Sequence, residues 1–133
     1  MNLADIQAAA GLRGPIRHQL FIDGKFVDAQ SGETLPTLNP HDNTPIAAVA
    51  MAGRADVDKA VAAAQRAFPA WSRLAAADRG RILLKLADLI EANAEELARL
   101  ESLDTGHPIR DSRARGVPRT AACYRYFGGM AGK

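Results

Sequence analysis

The sequence predicts an α+β fragment in which short strands, including a hairpin, are followed by about four helices. Residues of high β propensity form short runs up to residue 51, whereas apolar residues recur at helical spacing from residue 57 onwards. The strands therefore precede the helices and do not alternate with them, unlike the order of a doubly wound sheet. Because the strands are few and short, they offer the helices little surface to cover.

The first two strands are expected to form a hairpin. Residues 20–22 and 25–27 flank Asp23-Gly24, and an Asp-Gly pair favours the positive φ angles of a type I′ turn. Further strands are expected over residues 34–38 and 46–51. The strand that contains Pro36 should lie at an edge, because proline donates no hydrogen bond to a neighbouring strand.

Three helices should follow the strands. The first has an apolar stripe at helical spacing, formed by Val57, Ala60, Val61, Ala64 and Phe68. It is expected to stop near Pro69. The second is predicted over residues 76–92, with Asn93 capping the third through a capping box that includes Glu96. Gly106 then suits a left-handed C-cap at the end of the third helix.

A last helix is predicted over about residues 111–130, where Pro118 kinks or divides it so that the helix restarts there. Cys123 lies in this helix, and we expect it to be a buried small apolar residue rather than a reactive thiol. Gly128-Gly129 follow a helical segment instead of a strand, so they do not form a dinucleotide-binding turn.

The composition excludes several classes of protein. Hydrophobic residues make up 47% and charged residues 24% of the 133 residues, which is typical of a globular domain and not of a disordered chain. No apolar run approaches the roughly 20 residues that span a bilayer, so no membrane partner is expected. Residues 1–17 are predicted to be a flexible arm and make a poor signal peptide. One cysteine and no Cys/His cluster suit a cytoplasmic location.

The residues alone reveal no active site. The three histidines, His18, His41 and His107, lie in predicted turns or loops, and we expect all of them to be solvated. Glu95 and Glu96 are adjacent on a helix and point in different directions, so they form a solvated face and not an acid/base pair.

The order of the motifs nevertheless resembles the N-terminal portion of the NAD(P)-dependent aldehyde dehydrogenase superfamily. The matching segments are residues 20–26, 39–40 with 46–49, 56–71, 84–91, 101–108 and 117–131. The sequence departs from the family pattern at four positions. The family more often has lysine at His107, an acid at Gly116, an aromatic residue at Met130 and an acid at Gly132.

The resemblance implies that residues 18–133 are the N-terminal part of an aldehyde dehydrogenase domain of α/β fold. The family oxidises an aldehyde to a carboxylic acid through a cysteine thiohemiacetal, with NAD or NADP as cofactor. The catalytic cysteine and the cofactor-binding turns are expected beyond Lys133, so this chain alone should be inactive. The implied partners are the aldehyde, the remainder of the enzyme and further copies in a homo-oligomer.

The resemblance also assigns three residues to sites. The backbone of Leu38 and the carboxylate of Asp104 are expected to bind a monovalent cation, since hard cations prefer oxygen ligands. The alternative is that Asp104 only caps a turn. Arg119 is expected in the wall of the substrate tunnel, where it would pair with a carboxylate on the substrate. The alternative is a solvated arginine.

Two other functions remain open at this point. Residues 110–133 contain six basic residues and one acidic residue, and aromatic residues lie among them, as in proteins that bind single-stranded nucleic acid. This segment could therefore be a basic helical module for nucleic acid or an acidic partner, although its aromatic residues also fit a packed helix face. The third reading is a non-functional gene remnant. The ordered motifs favour the dehydrogenase, with no nucleic-acid partner.

Overall fold

The computed structural model describes Ile16 and residues 18–133. The flexible arm predicted over residues 1–17 lies outside the described residues, apart from Ile16. The described part of the chain contains two small sheets followed by a series of helices, which confirms the predicted α+β order.

The first sheet is the predicted hairpin. Strands β1 (Leu20–Ile22) and β2 (Lys25–Val27) pair antiparallel, with Phe21 opposite Phe26. The φ angles of Asp23 and Gly24 are 54° and 76°, so both central residues of the turn have the positive values that a type I′ turn requires. The local sequence alone therefore determines this turn.

The second sheet pairs β3 (Thr34–Leu38) with β4 (Pro45–Ala50), also antiparallel. Pro36 lies opposite Ala48 in a sheet of two strands, where each strand is an edge, as predicted for the strand that contains this proline. The pairing register shifts between Thr37 and Leu38, at the end of β3.

Helix α1 (Arg54–Arg73) is longer than predicted. The expected stop at Pro69 is wrong, because the helix continues through this residue for another turn. Proline has no N–H to donate to the carbonyl four residues earlier, that of Gln65. Gln65 and Pro69 lie on an exposed part of the helix, where water can satisfy this carbonyl. The carbonyl of Pro69, in the last turns of the helix, accepts hydrogen bonds from the side chains of Ser72 and Arg73, at 3.2 and 2.8 Å.

Helices α2 (Ala76–Ala92) and α3 (Ala94–Thr105) meet at Asn93. The predicted capping box at Asn93 is wrong. The side chain of Asn93 donates to the carbonyl of Leu89 at 2.8 Å, and therefore completes the end of α2 instead of the start of α3. Its φ of −110° and ψ of 19° also differ from the extended backbone of an N-cap. Gly106 has a φ of 73°, as predicted for the C-cap of α3.

The last helical region changes its hydrogen-bonding pattern along its length. A short helix α4 (Ile109–Asp111) leads into a π-helical segment (Ser112–Gly116), which is followed by α5 (Val117–Met130). Pro118 lies in the first turn of α5, so the helix restarts there as predicted. Because Pro118 has no backbone N–H, a regular α-helix could not complete its bonds across this point.

Small residues form the contact between α2 and α5. Ala87 of α2 and Ala121 of α5 are fully buried, and Gly80 and Gly128 bring the two backbones together. A Cβ placed on Gly80 would lie 2.6 Å from the carbonyl oxygen of Gly128. The helices therefore pack at a distance that only glycine allows at this position.

Large apolar side chains point outwards from the helices. Phe68 is 64% exposed, although it lies on the apolar stripe predicted for the first helix, and Leu89 of α2 is 52% exposed. Within the described residues, the apolar stripes are thus surfaces left without a covering element. None of the described helices is long and apolar enough to cross a membrane.

Candidate functional site

The two residues expected to bind a cation belong to segments that contact each other. Leu38 ends β3, and Asp104 lies in the last turn of α3. The hydroxyl of Thr37 donates to Oδ1 of Asp104 at 3.1 Å, which ties the residue before Leu38 to the carboxylate. The structure therefore brings together two segments separated by more than 60 residues in sequence. Among the described residues, no cluster of three or more His, Cys, Asp and Glu side chains forms a metal centre.

Arg119 lies elsewhere, on the outer face of α5. Its side chain is exposed and makes no hydrogen bond or ion pair with the described residues. The exposed residues of this face follow at helical spacing: Cys123, Tyr126, Phe127 and Met130. Arg119 does not line the groove that contains Asp104. The two sites predicted from the sequence are therefore separate in the structure.

Cys123 is exposed, so the expectation of a buried residue is wrong. The buried positions of α5 are Val117, Ala121 and Gly128, which face the rest of the described chain, whereas Cys123 lies on the other side. Apolar residues occur on both sides of this helix. The sequence therefore could not show which side packs.

The three histidines are exposed, as expected. Nδ1 of His107 lies 3.3 Å from the hydroxyl of Ser112, which is fully buried. This contact links the loop after α3 to the start of the π-helical segment. Sequence reasoning missed it, because a serine in a predicted helix gave no signal of burial.

The basic segment is largely paired with acidic side chains. Arg125 of α5 contacts Asp88 at 2.8 Å and Glu91 at 2.5 Å, both on α2. Arg115 contacts Asp111 at 3.1 Å. The hydrogen bonds to Glu91 and Asp88 raise the pKa of Arg125. These contacts reduce the positive field that the segment presents to a partner.

Glu95 is the centre of a second ion-pair cluster. It accepts from Nε and Nη2 of Arg113, at 2.8 and 2.5 Å, and from Nε of Arg99 at 2.6 Å. These bonds, with that of Arg113 the stronger, lower the pKa of Glu95 from 4.5 to about 2. The cluster connects α3 to the π-helical segment, and a charged Glu95 favours the folded state.

This cluster predicts a specific pH dependence. A folded-state pKa below the unfolded value stabilises the fold above about pH 4.5, and the stabilisation is lost as the pH falls towards about 2. We expect Glu95→Gln to be less stable than the parent protein at pH 6, with the difference shrinking between pH 4.5 and 2. Urea unfolding at a series of pH values measures this. A difference that stays constant over the range would contradict it, and Glu33→Gln, at an exposed acid, is the control.

The family assignment follows from comparison with known proteins. Residues 26–133 match the sequence profile described as "Aldehyde dehydrogenase family". The chain belongs to this family. The match extends from β2 to the last residue, and confirms the predicted resemblance to an N-terminal portion of the superfamily.

Several known proteins are similar to the chain. Mitochondrial 10-formyltetrahydrofolate dehydrogenase from Mus musculus is 46% identical over 92% of the chain, which spans 14% of that protein. A crystal structure of PnpE in complex with nicotinamide adenine dinucleotide is 67% identical with a TM-score of 0.87, over 88% of this chain and 24% of that one. Gamma-glutamyl-gamma-aminobutyraldehyde dehydrogenase from Burkholderia cenocepacia J2315 is 41% identical with a TM-score of 0.89, over 100% and 27%.

These relatives confirm the fold and define its extent. The strand pairs and helices correspond to a contiguous part of the aldehyde dehydrogenase structures. The chain spans about a quarter or less of each of these three relatives. The exposed apolar stripes of its helices thus belong to a chain that covers only part of the length of its relatives.

Proposed function

We propose that the chain is the N-terminal segment of an NAD(P)-dependent aldehyde dehydrogenase, which oxidises an aldehyde to a carboxylic acid through a cysteine thiohemiacetal. The match of residues 26–133 to the family carries this proposal. Cys123 is not proposed as the nucleophile, since it was not predicted to have that role and lies on a helix without a basic partner in the described residues. The isolated chain is expected to be inactive.

We propose that the cofactor site lies outside the described residues. A glycine-rich turn between a strand and a helix is a common dinucleotide-binding motif, whereas Gly128 and Gly129 lie inside α5. The complex of PnpE with nicotinamide adenine dinucleotide supports NAD as a cofactor of the whole enzyme. In our proposal, this segment supplies structure around the site, and other parts of the enzyme hold the dinucleotide.

We further propose that Arg119 binds a carboxylate on the aldehyde substrate. Its guanidinium is exposed and has no acidic partner among the described residues, in contrast to Arg113, Arg115 and Arg125. A charge-assisted pair with a carboxylate needs such a free guanidinium. The position on the outer face of α5, beside exposed aromatic residues, suits a contact with a ligand.

Kinetics of the full-length enzyme test both proposals. With NAD or NADP, the enzyme should oxidise succinic semialdehyde and butanal. Arg119→Ala should raise KM for the carboxylated aldehyde about tenfold or more while leaving that for butanal nearly unchanged, because one charge-assisted hydrogen bond contributes about 1.5–3 kcal/mol. Equal changes in KM for the two aldehydes would refute the role of Arg119. If the enzyme oxidises neither aldehyde, the proposed dehydrogenase activity is refuted. Arg110→Ala, at another exposed arginine, is the control.

We propose that the carbonyl of Leu38 and the carboxylate of Asp104 bind a monovalent cation. The bond from Thr37 occupies one oxygen of Asp104, so Oδ2 has no hydrogen bond from the described residues. A carboxylate and carbonyl oxygens form a hard ligand set. If sodium or potassium binds there, either ion should raise the unfolding temperature of the enzyme relative to tetramethylammonium, and Asp104→Asn should remove the difference. An unchanged difference in the variant would contradict the site.

The partners and location proposed for the enzyme are those of a cytoplasmic homo-oligomer without nucleic acid. The single cysteine supports a reducing compartment, and the paired arginines of α5 and the π-helical segment leave little free positive charge. Size-exclusion chromatography and cell fractionation measure these properties. Salt-dependent binding to DNA would contradict the proposal that the enzyme has no nucleic-acid partner.

A further inference from the structure

Glu101 borders two apolar grooves. One groove, of about 580 Å³, lies between the β3–β4 sheet and α3, and the other, of about 310 Å³, lies between α2, α3 and α5. Leu97 and Glu101 of α3 line both of them. Apolar residues form most of the remaining walls, among them Ile46 in the first groove and Val117 in the second.

The carboxylate of Glu101 has no partner in the described part of the chain. It forms neither a hydrogen bond nor an ion pair with a described residue, although the residue is half-buried. It lies against the backbone at the end of the π-helical segment, since a Cβ on Gly116 would be 3.0 Å from Oε2 of Glu101. A glycine at this position therefore leaves room for the carboxylate to reach between the two grooves.

Several other polar groups of the grooves form hydrogen bonds within the described residues. Asp104 accepts from Thr37, Thr105 donates to the carbonyl of Glu101 at 2.7 Å, and the hydroxyl of Thr120 donates to the carbonyl of Gly116 at 3.0 Å. Neither groove is lined by a described lysine, arginine or histidine. The charged side chains in these apolar walls, Glu101 and Asp104, are therefore both acidic.

An apolar segment that filled the grooves would bury this carboxylate. An isolated buried carboxylate is strongly unfavourable, whereas a buried carboxylate with a cationic partner is tolerated. We propose that the grooves receive a polypeptide segment from the remainder of the aldehyde dehydrogenase, apolar in character and carrying one lysine or arginine that pairs with Glu101. The inference rests on the proposed function, in which this chain is part of a protein several times its length.

Glu101→Gln in the full-length enzyme tests the pairing, because glutamine keeps the size and removes the charge. We expect its unfolding temperature to fall by about 3–5 °C, since removing one member of a buried ion pair leaves the other uncompensated. Glu33→Gln is the control, at an exposed acid whose side chain has no described partner, and should change the temperature by less than about 1 °C. Both variants are measured in sodium and in tetramethylammonium buffers.

The outcomes separate the possible partners of Glu101. An equal fall in both buffers, with a lysine or arginine nitrogen within about 4 Å of the carboxylate in a crystal structure of the enzyme, supports the inference. If the unfolding temperature falls only in sodium, the partner of Glu101 is an inorganic cation. If the crystal structure shows only backbone N–H groups at the carboxylate, its partners are neutral donors. Either result overturns the inference. An unchanged or higher unfolding temperature also overturns it. Aldehyde oxidation by the unmodified enzyme is assayed in parallel, so failure of the proposed function is recognised separately.

Discussion

Gly80→Ala is expected to destabilise the protein by about 2 kcal/mol. The added methyl group would lie 2.6 Å from the carbonyl oxygen of Gly128, which is backbone and cannot rotate away as a side chain can. Alanine favours a helix over glycine by about 1 kcal/mol. Overpacking of a rigid contact outweighs this gain, because α5 must move away from α2 to relieve it. Urea unfolding monitored by circular dichroism measures the change.

Gly129→Ala is the matched control for this variant. Gly129 also lies in a helix, but a Cβ there would have no atom within 4 Å. The same substitution should therefore stabilise the protein by about 0.5–1 kcal/mol through helix propensity alone. If both alanines stabilise the protein, the backbone contact between α2 and α5 is not as close as the structure indicates.

Asp56→Ala is expected to cost about 3 kcal/mol. The carboxylate of Asp56 is 3% exposed and accepts backbone N–H groups from Gly53 at 3.1 Å and from Gln30 at 3.2 Å. The substitution leaves both donors without this acceptor, and also disconnects the start of α1 from the loop after β2. Asp56→Asn keeps one acceptor oxygen and should cost less.

Asp58→Ala provides the comparison for Asp56. Asp58 is exposed in the same turn of α1 and contacts Arg54 at 4.0 Å, a surface ion pair of little energetic value. Its removal should change the free energy of unfolding by less than about 0.5 kcal/mol. Similar losses in the two alanine variants would show that the buried hydrogen bonds of Asp56 are not the cause.

Local sequence determined the turns but not the packing. Asp23-Gly24 and Gly106 were predicted correctly, because positive φ angles depend on the residue itself. Pro69 was predicted to stop α1, and the helix passes through it because the carbonyl that it leaves without a donor, that of Gln65, belongs to an exposed residue and is open to water. The side chain of Asn93 could bond to the backbone at the end of α2 or at the start of α3, and the sequence could not show which of the two bonds forms.

The packed sides of the helices could not be predicted for a different reason. Periodicity locates large apolar residues such as Phe68, whereas the buried positions of α2 are Gly80 and Ala87, which carry little hydrophobic signal. Cys123 was misplaced by the same ambiguity.

The candidate sites were predicted by resemblance and not by spacing. Only the folded structure shows that Asp104 lies near the end of β3. Glu101 was overlooked, although it lies three residues before Asp104 on the same helix. It lies between two grooves because α5 packs beside α3, and a local sequence pattern cannot show this packing.

The π-helical segment can take up one residue without redirecting α5. A π turn contains one more residue than an α turn but completes the same rotation about the helix axis, whereas a residue added to a regular α-helix rotates everything after it by about 100°. Losing one codon between Ser112 and Gly116 would therefore let a regular α turn replace the π turn and leave Arg119 facing nearly its present direction. A gene that lost a single residue here would keep this guanidinium on the same side of the molecule.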